Sequence, residues 1–189
     1  KSTFTTYLKE IALDVSLSKQ LVWVRLDLNE APVNSIDIYS WLKTSIVQDL
    51  ADQNSDIDVH EYGSVKKIYA TQIEEFDKLA TVLLEPSDYG QKLFELIQRL
   101  KADKDVTLQA FIDFFVHNRN KDLIIVLDNC DKRNLNEQLL MFEVANWLKE
   151  NTKSIVFLPI RDTTFDLYRH EKPLDTVIKD LIFRINPPS

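Results

Sequence analysis

Three short, almost wholly apolar runs, spaced far apart and separated by long stretches of helical periodicity, constrain this chain more than any other feature. Leu21 to Leu28 is β-rich and nearly continuously apolar, Leu123 to Leu127 is five aliphatic residues in a row, and Ser154 to Ile160 is a third such run. Continuous rather than alternating apolar strands are those buried on both faces, as in a parallel sheet. The segments between them carry apolar residues at three- and four-residue intervals. Strands alternating with helices predict an α/β fold, a parallel sheet with helices on both faces.

The helical segments can be placed along the chain. Thr3 to Leu13 carries Phe4, Tyr7, Leu8, Ile11 and Ala12 at helical spacing. Ser35 is expected to cap a helix through Ile36, Tyr39, Leu42, Ile46, Val47 and Leu50. Residues 57–118 read as a helical insertion, interrupted near Glu85-Pro86-Ser87 and Ala102-Asp103-Lys104. Within it Ile68, Ile73, Phe76, Leu79, Val82 and Leu83 form one stripe, and Leu93, Phe94, Ile97 and Leu100 another. Thr107 is expected to cap a last helix whose Phe111, Phe114 and Phe115 pack in the core or between helices. Beyond the second strand a helix is expected from Asn134 to Lys149, then one from Asp166 to Asp180 broken by Pro173, and a fourth strand over Leu181 to Ile185. Pro187-Pro188 would stop it.

Composition narrows the function classes. The 189 residues suffice for one sizeable core, read as one domain over 1–189. A net charge of -7 argues against a general nucleic-acid surface, which needs clustered excess Lys and Arg. No stretch reaches the length of a membrane span, so no membrane partner is expected. The single cysteine, Cys130, rules out an internal disulfide framework, suits a reducing cytoplasm and reads as a small packing residue. His60, His117 and His170 show no metal-ligand spacing, and Glu74-Glu75 reads as the solvated face of a helix.

Two places carry chemistry. Lys1-Ser2-Thr3 stands at the start of a helix, where converging backbone N–H groups favour phosphate. A lysine there supplies a point charge to the β- and γ-phosphates, and the next hydroxyl can coordinate Mg²⁺. On its own the tripeptide reads equally as a common surface sequence or a helix N-cap. Asp128 closes the second apolar strand, which sets its carboxylate at the carboxyl edge of the sheet, where ligands of open α/β sheets bind. The competing reading is a strand followed by a turn rich in Asp and Asn, through Asn129, Asp131 and Asn134. The third strand ends in Arg161, whose planar fork suits a phosphate, or which pairs with Asp162 or Asp166. The order, Lys-Ser at a helix start, strand, strand-Asp, helix, strand-Arg, is the layout of one nucleotide-binding core.

On Lys1-Ser2-Thr3, Leu123 to Asp131 and the strand end at Arg161, with Val24 to Asn29 and Arg161 to Thr164 in support, the sequence resembles the ASCE division of P-loop NTPases, and within it the STAND and AAA-like ATPases. Only two glycines, Gly63 and Gly90, occur in the chain, so the loop glycines and the first strand are expected upstream of Lys1, with that strand in the middle of the sheet. The resemblance implies ATP and Mg²⁺ as cofactors. It implies that Lys1 contacts the phosphates, that Ser2 ligates Mg²⁺ with Thr3 one step into the helix, that Asp128 holds Mg²⁺ through water, and that Arg161 reads the γ-phosphate. The position after Asp128, where many relatives carry a catalytic glutamate, is Asn129, which cannot take a proton from water. Asp131 is the substitute general base. A slow, switch-like ATPase in a larger signalling or antiviral-defence protein, working as a homo-oligomer, is the function implied, with Arg133 either an arginine finger or a solvated surface residue. A non-hydrolysing nucleotide-binding scaffold is the main alternative. A small-molecule kinase would need an arginine-rich lid, and a plain interaction domain remains the reading with no chemistry at all.

Overall fold

A computed structural model describes residues 2–130 and 135–168 of the chain. Lys1, Asp131 and Arg133 lie outside these residues, as do His170, the Pro173 break and the fourth strand expected over 181–185.

The chain enters through helix α1 (Ser2–Tyr7), which continues as a π-helical turn over Leu8–Ala12. A short helix, α2 (Val15–Gln20), capped by Asp14 accepting from the Ser16 amide, delivers it straight into β1 (Leu21–Asp27). Helix α3 (Ser35–Asp52) follows, then α4 (Tyr62–Ile68), α5 (Ala70–Leu83), α6 (Pro86–Ala102) and α7 (Lys104–Phe115). Strand β2 (Asp122–Asp128), helix α8 (Leu135–Thr152), strand β3 (Ile155–Phe157) and helix α9 (Asp162–Tyr168) complete the described chain.

The sheet is parallel, in the order β1-β2-β3, with Leu21 beside Asp122, Asp27 beside Asp128 and Val126 beside Phe157. Alternation along the strands divides their side chains between two faces. Val22, Val24, Leu26, Leu123, Ile125 and Leu127 join the main core with Ile38, Leu42, Ile46 and Leu50 of α3, Phe111, Ile112 and Phe115 of α7, and Met141, Val144 and Leu148 of α8. On the other face Trp23, Ile124 and Val126 form a smaller cluster, covered by Leu8 and Leu13 and joined by Phe157. Both faces are therefore covered, which is why β2 needs apolar residues at every position from Leu123 to Leu127.

The helical block over 62–115 packs against the sheet and α3. Its inner face belongs to the same core as the sheet, and the hydroxyl of the buried Tyr69 meets the Thr107 hydroxyl at 3.0 Å, tying the start of α5 to α7.

Several local expectations change. Helix α3 is capped by Asn34, whose side chain accepts from the Asp37 amide at 2.7 Å, and Ser35 is its first residue. Asp103, not Thr107, caps α7, accepting from the Asp105 and Val106 amides. Thr107 lies inside that helix and donates to the Leu100 carbonyl instead. The stripe through α5 is buried only in its first half: Leu79, Val82 and Leu83 are exposed and Ala80 turns inward, while Phe94 of α6 also faces out. The third strand is three residues long rather than seven: its pairing with β2 ends at Phe157, ahead of Pro159, which has no N–H to offer a ladder. The helix expected from Asp166 begins at Asp162, with the Phe165 amide bonded to the Arg161 carbonyl at 2.9 Å.

Candidate functional site

The carboxyl ends of the three strands bring the polar residues of the sheet together. Arg25, Asp27, Val126 and Asp128 project from the face that carries Trp23 and Ile124. The apolar floor of that face thus gives way to a charged rim within one residue pair. Ser2 and Thr3 open α1, the helix whose continuation supplies Leu8 to this same face.

Asp128 is the most deeply buried charged group of the rim, at 4% exposure. A carboxylate taken out of water needs a countercharge and hydrogen bonds. Arg25 provides the first, with Nη2 at 2.5 Å from Oδ2, and the Asn129 backbone amide donates to Oδ1 at 2.9 Å. The pair is asymmetric. The Arg25 side chain is 50% exposed and the Asp128 carboxylate 5%, so the pair is reached by solvent from the arginine side.

Asn129 leaves the strand with φ of 63°, a left-handed conformation that Asn tolerates better than most residues. The turn aims its side-chain amide back across the sheet to Asp27, donating to Oδ1 at 2.9 Å. The Asn29 amide donates to the same oxygen at 3.0 Å, which fixes the turn after β1. Cys130 is buried in the core, and its thiol lies 3.4 Å from the Pro159 carbonyl. That contact ties the turn after β2 to the segment after β3, two residues before Arg161, so Arg161 follows at the carboxyl end of the sheet with its side chain exposed.

Of the residues singled out in the sequence, Asp128, Asn129 and Cys130 form one cluster, and Arg161 follows on the adjoining segment. The main residues missed were Arg25 and Asp27. Their signal was present: charged residues at alternate positions of an otherwise apolar strand must share a face. Their partners, Asp128 for Arg25 and Asn129 for Asp27, come within reach through the register of β1 on β2. His117, in the short 3-10 turn that follows α7, bonds Asp113 of α7 at 2.9 Å. No group of three or more His, Cys, Asp or Glu suited to a metal occurs among the described residues. Among them, too, no helix is long and apolar enough to cross a membrane.

Fold and site together define an α/β domain with a parallel sheet and a buried acidic residue at the carboxyl end of its central strand. No family model, curated protein or solved structure matches the chain.

Proposed function

We propose that this chain is a Mg²⁺-dependent ATP-binding domain that hydrolyses its nucleotide slowly and acts as a switch within a larger signalling or defence-type protein. The observation that carries the reading is Asp128, a buried carboxylate at the end of the middle strand, flanked by the end of β1 and by the segment leading to Arg161. A parallel sheet with the acid-ended strand β2 between β1 and β3 supports this reading as far as an α/β fold goes.

Mg²⁺ is bound in such sites through one or two carboxylates, with water and substrate phosphates completing its shell. A single buried carboxylate at a sheet edge, with hard oxygen donors, fits that demand, and the lack of a larger ligand cluster among the described residues does not conflict with it. The Ser2 hydroxyl would ligate the ion directly, and Asp128 would hold it through water. When bound, Mg²⁺ polarises the phosphate oxygens and offsets the charge that develops on them. Lys1 would supply charge to the β- and γ-phosphates, and Arg161 would contact the γ-phosphate. Asp131 would take the proton of the attacking water.

Slow turnover follows from Asn129. An amide cannot serve as a base, and this one is already committed to Asp27. The same observation favours the second reading, a scaffold that binds nucleotide without turning it over. ATP affinity and turnover, measured on the full-length protein with and without Mg²⁺, separate the two. Mg²⁺-dependent binding that is lost in Lys1→Ala, with turnover lost in Asp131→Asn, is the expected result. Binding without turnover favours the scaffold, and no binding at all removes the nucleotide reading.

A further inference from the structure

We propose that Arg25 sets the cation affinity of the site: its guanidinium sits on the Asp128 carboxylate as a built-in countercharge that a divalent ion must displace.

The argument begins with burial. Asp128 is nearly closed to solvent, yet its partner reaches it from a half-exposed position. Such a pair opens by movement of the arginine, since the carboxylate is fixed on the strand and held by the Asn129 amide at 2.9 Å. Arg25 itself is anchored through its backbone, where its amide donates to Asp49 Oδ2 at 3.2 Å, so the side chain can swing without disturbing the strand. An arginine and a hydrated Mg²⁺ both seek the Asp128 carboxylate, and the two cations repel each other when both crowd against it. Cation binding therefore carries the cost of breaking a charge-assisted hydrogen bond. Released from Asp128, the guanidinium points into the same rim, where a phosphate is the natural new partner for its fork. Ion entry and nucleotide entry are coupled by this exchange, which gives the domain a threshold in Mg²⁺ concentration.

The inference rests on the nucleotide-switch reading for the identity of the ion, but its test does not need turnover. Mn²⁺ serves as the probe, its binding followed by electron paramagnetic resonance on the full-length protein, alongside thermal denaturation with and without Mg²⁺. Arg25→Gln should bind Mn²⁺ about tenfold or more tightly than the parent, the fold-change expected when a charge-assisted bond no longer competes. Its midpoint should fall without Mg²⁺ and recover when Mg²⁺ is added, as the ion takes over the countercharge. Adding Asp128→Asn to that variant should abolish the gain. If Arg25→Gln fails to fold even with Mg²⁺, Arg25→Lys replaces it, with an intermediate rise in Mn²⁺ affinity expected. Unchanged or weaker Mn²⁺ binding in the folded variant overturns the proposal. MgATP binding by the parent, measured in the same series, reports separately on the nucleotide reading: its failure leaves the Arg25 result standing as a cation-site finding.

Discussion

The side-chain amide of Asn129 bonds Asp27 Oδ1 at 2.9 Å, across the ends of two adjacent strands and from a left-handed backbone conformation. This one bond locks the turn after β2 onto the turn after β1 and so fixes the direction in which the chain leaves Asp128. Asn129→Ala should lose the bond and also bear the steric cost of a Cβ without local compensation, for a destabilisation of about 2 kcal/mol. Asn129→Gly loses the bond but relieves the backbone, and should cost less. Urea denaturation of the two variants measures the difference; equal losses would mean that the conformation at 129 carries no strain.

Asp49 offers a pH test. Burial pushes its carboxyl above the ordinary aspartate value, against the lowering effect of hydrogen bonds from the Arg25 amide and the Gln53 side chain. The unfolded chain then ionises at lower pH than the native one, so the contribution of this group is present below its unfolded pKa of 3.8 and is lost as pH rises through the raised native value. Asp49→Asn keeps an acceptor for both donors and has no charge to bury. The thermal midpoint of the variant relative to the parent should be higher at pH 7 than at pH 3.5. A difference that does not change with pH would rule out the raised ionisation.

Thr107 was the expected cap of α7 and Asp103 is the cap observed, and the two roles separate by mutation. Asp103→Ala removes an acceptor from two amides of the first turn and should cost about 1 kcal/mol in unfolding free energy. Thr107→Val removes the hydroxyl that donates to Leu100 and meets Tyr69, leaving the Tyr69 hydroxyl without that partner in a part-buried position, for a cost of about 1–3 kcal/mol. In the Asp103 variant the loss of helicity should be local to α7, as hydrogen exchange of the Asp105 and Val106 amides would report.

Trp23 stacks on Phe157 with ring centroids 6.0 Å apart and 9° between planes, and its buried indole N–H has no hydrogen-bond partner among the described residues. Trp23→Phe loses apolar area but also removes an unpaired donor whose burial is costly. The variant should therefore lose clearly less than the roughly 3–5 kcal/mol expected of Trp23→Ala. Chemical denaturation of both tests this, and a Phe variant as unstable as the Ala one would show that the N–H is satisfied.

Much of the fold was legible because it depends on local sequence. The apolar run at 123–127 is a strand wherever it is placed, and the breaks near Glu85 and Asp103 fall where proline and capping residues put them. Cap identity was less legible: Ser35 and Thr107 are good capping types, but Asn34 and Asp103 hold the positions from which a side chain reaches the first free amides. The α5 stripe shows a different limit. Periodicity marks a helix face and not the length over which that face is covered, so Leu79, Val82 and Leu83 fit the pattern and yet lie in solvent.

Asp128 could be singled out by its place at the end of an apolar strand, since strand direction and sheet edge follow from the α/β pattern itself. Sequence alone thus determined the types of the longer elements, the buried character of β2 and the position of an acidic group at the carboxyl edge, while the short α2 ahead of β1 went unread. The partners of that group were decided only in three dimensions. Arg25 lies 103 residues away, and Asn129 meets a carboxylate 102 residues before it. Both pairings depend on β1 aligning with β2 so that Asp27 stands beside Asp128. A shift of one residue would send Arg25 to the opposite face, because side chains alternate along a strand. Register is fixed by the packing of both sheet faces at once, a condition that no local stretch of the chain contains.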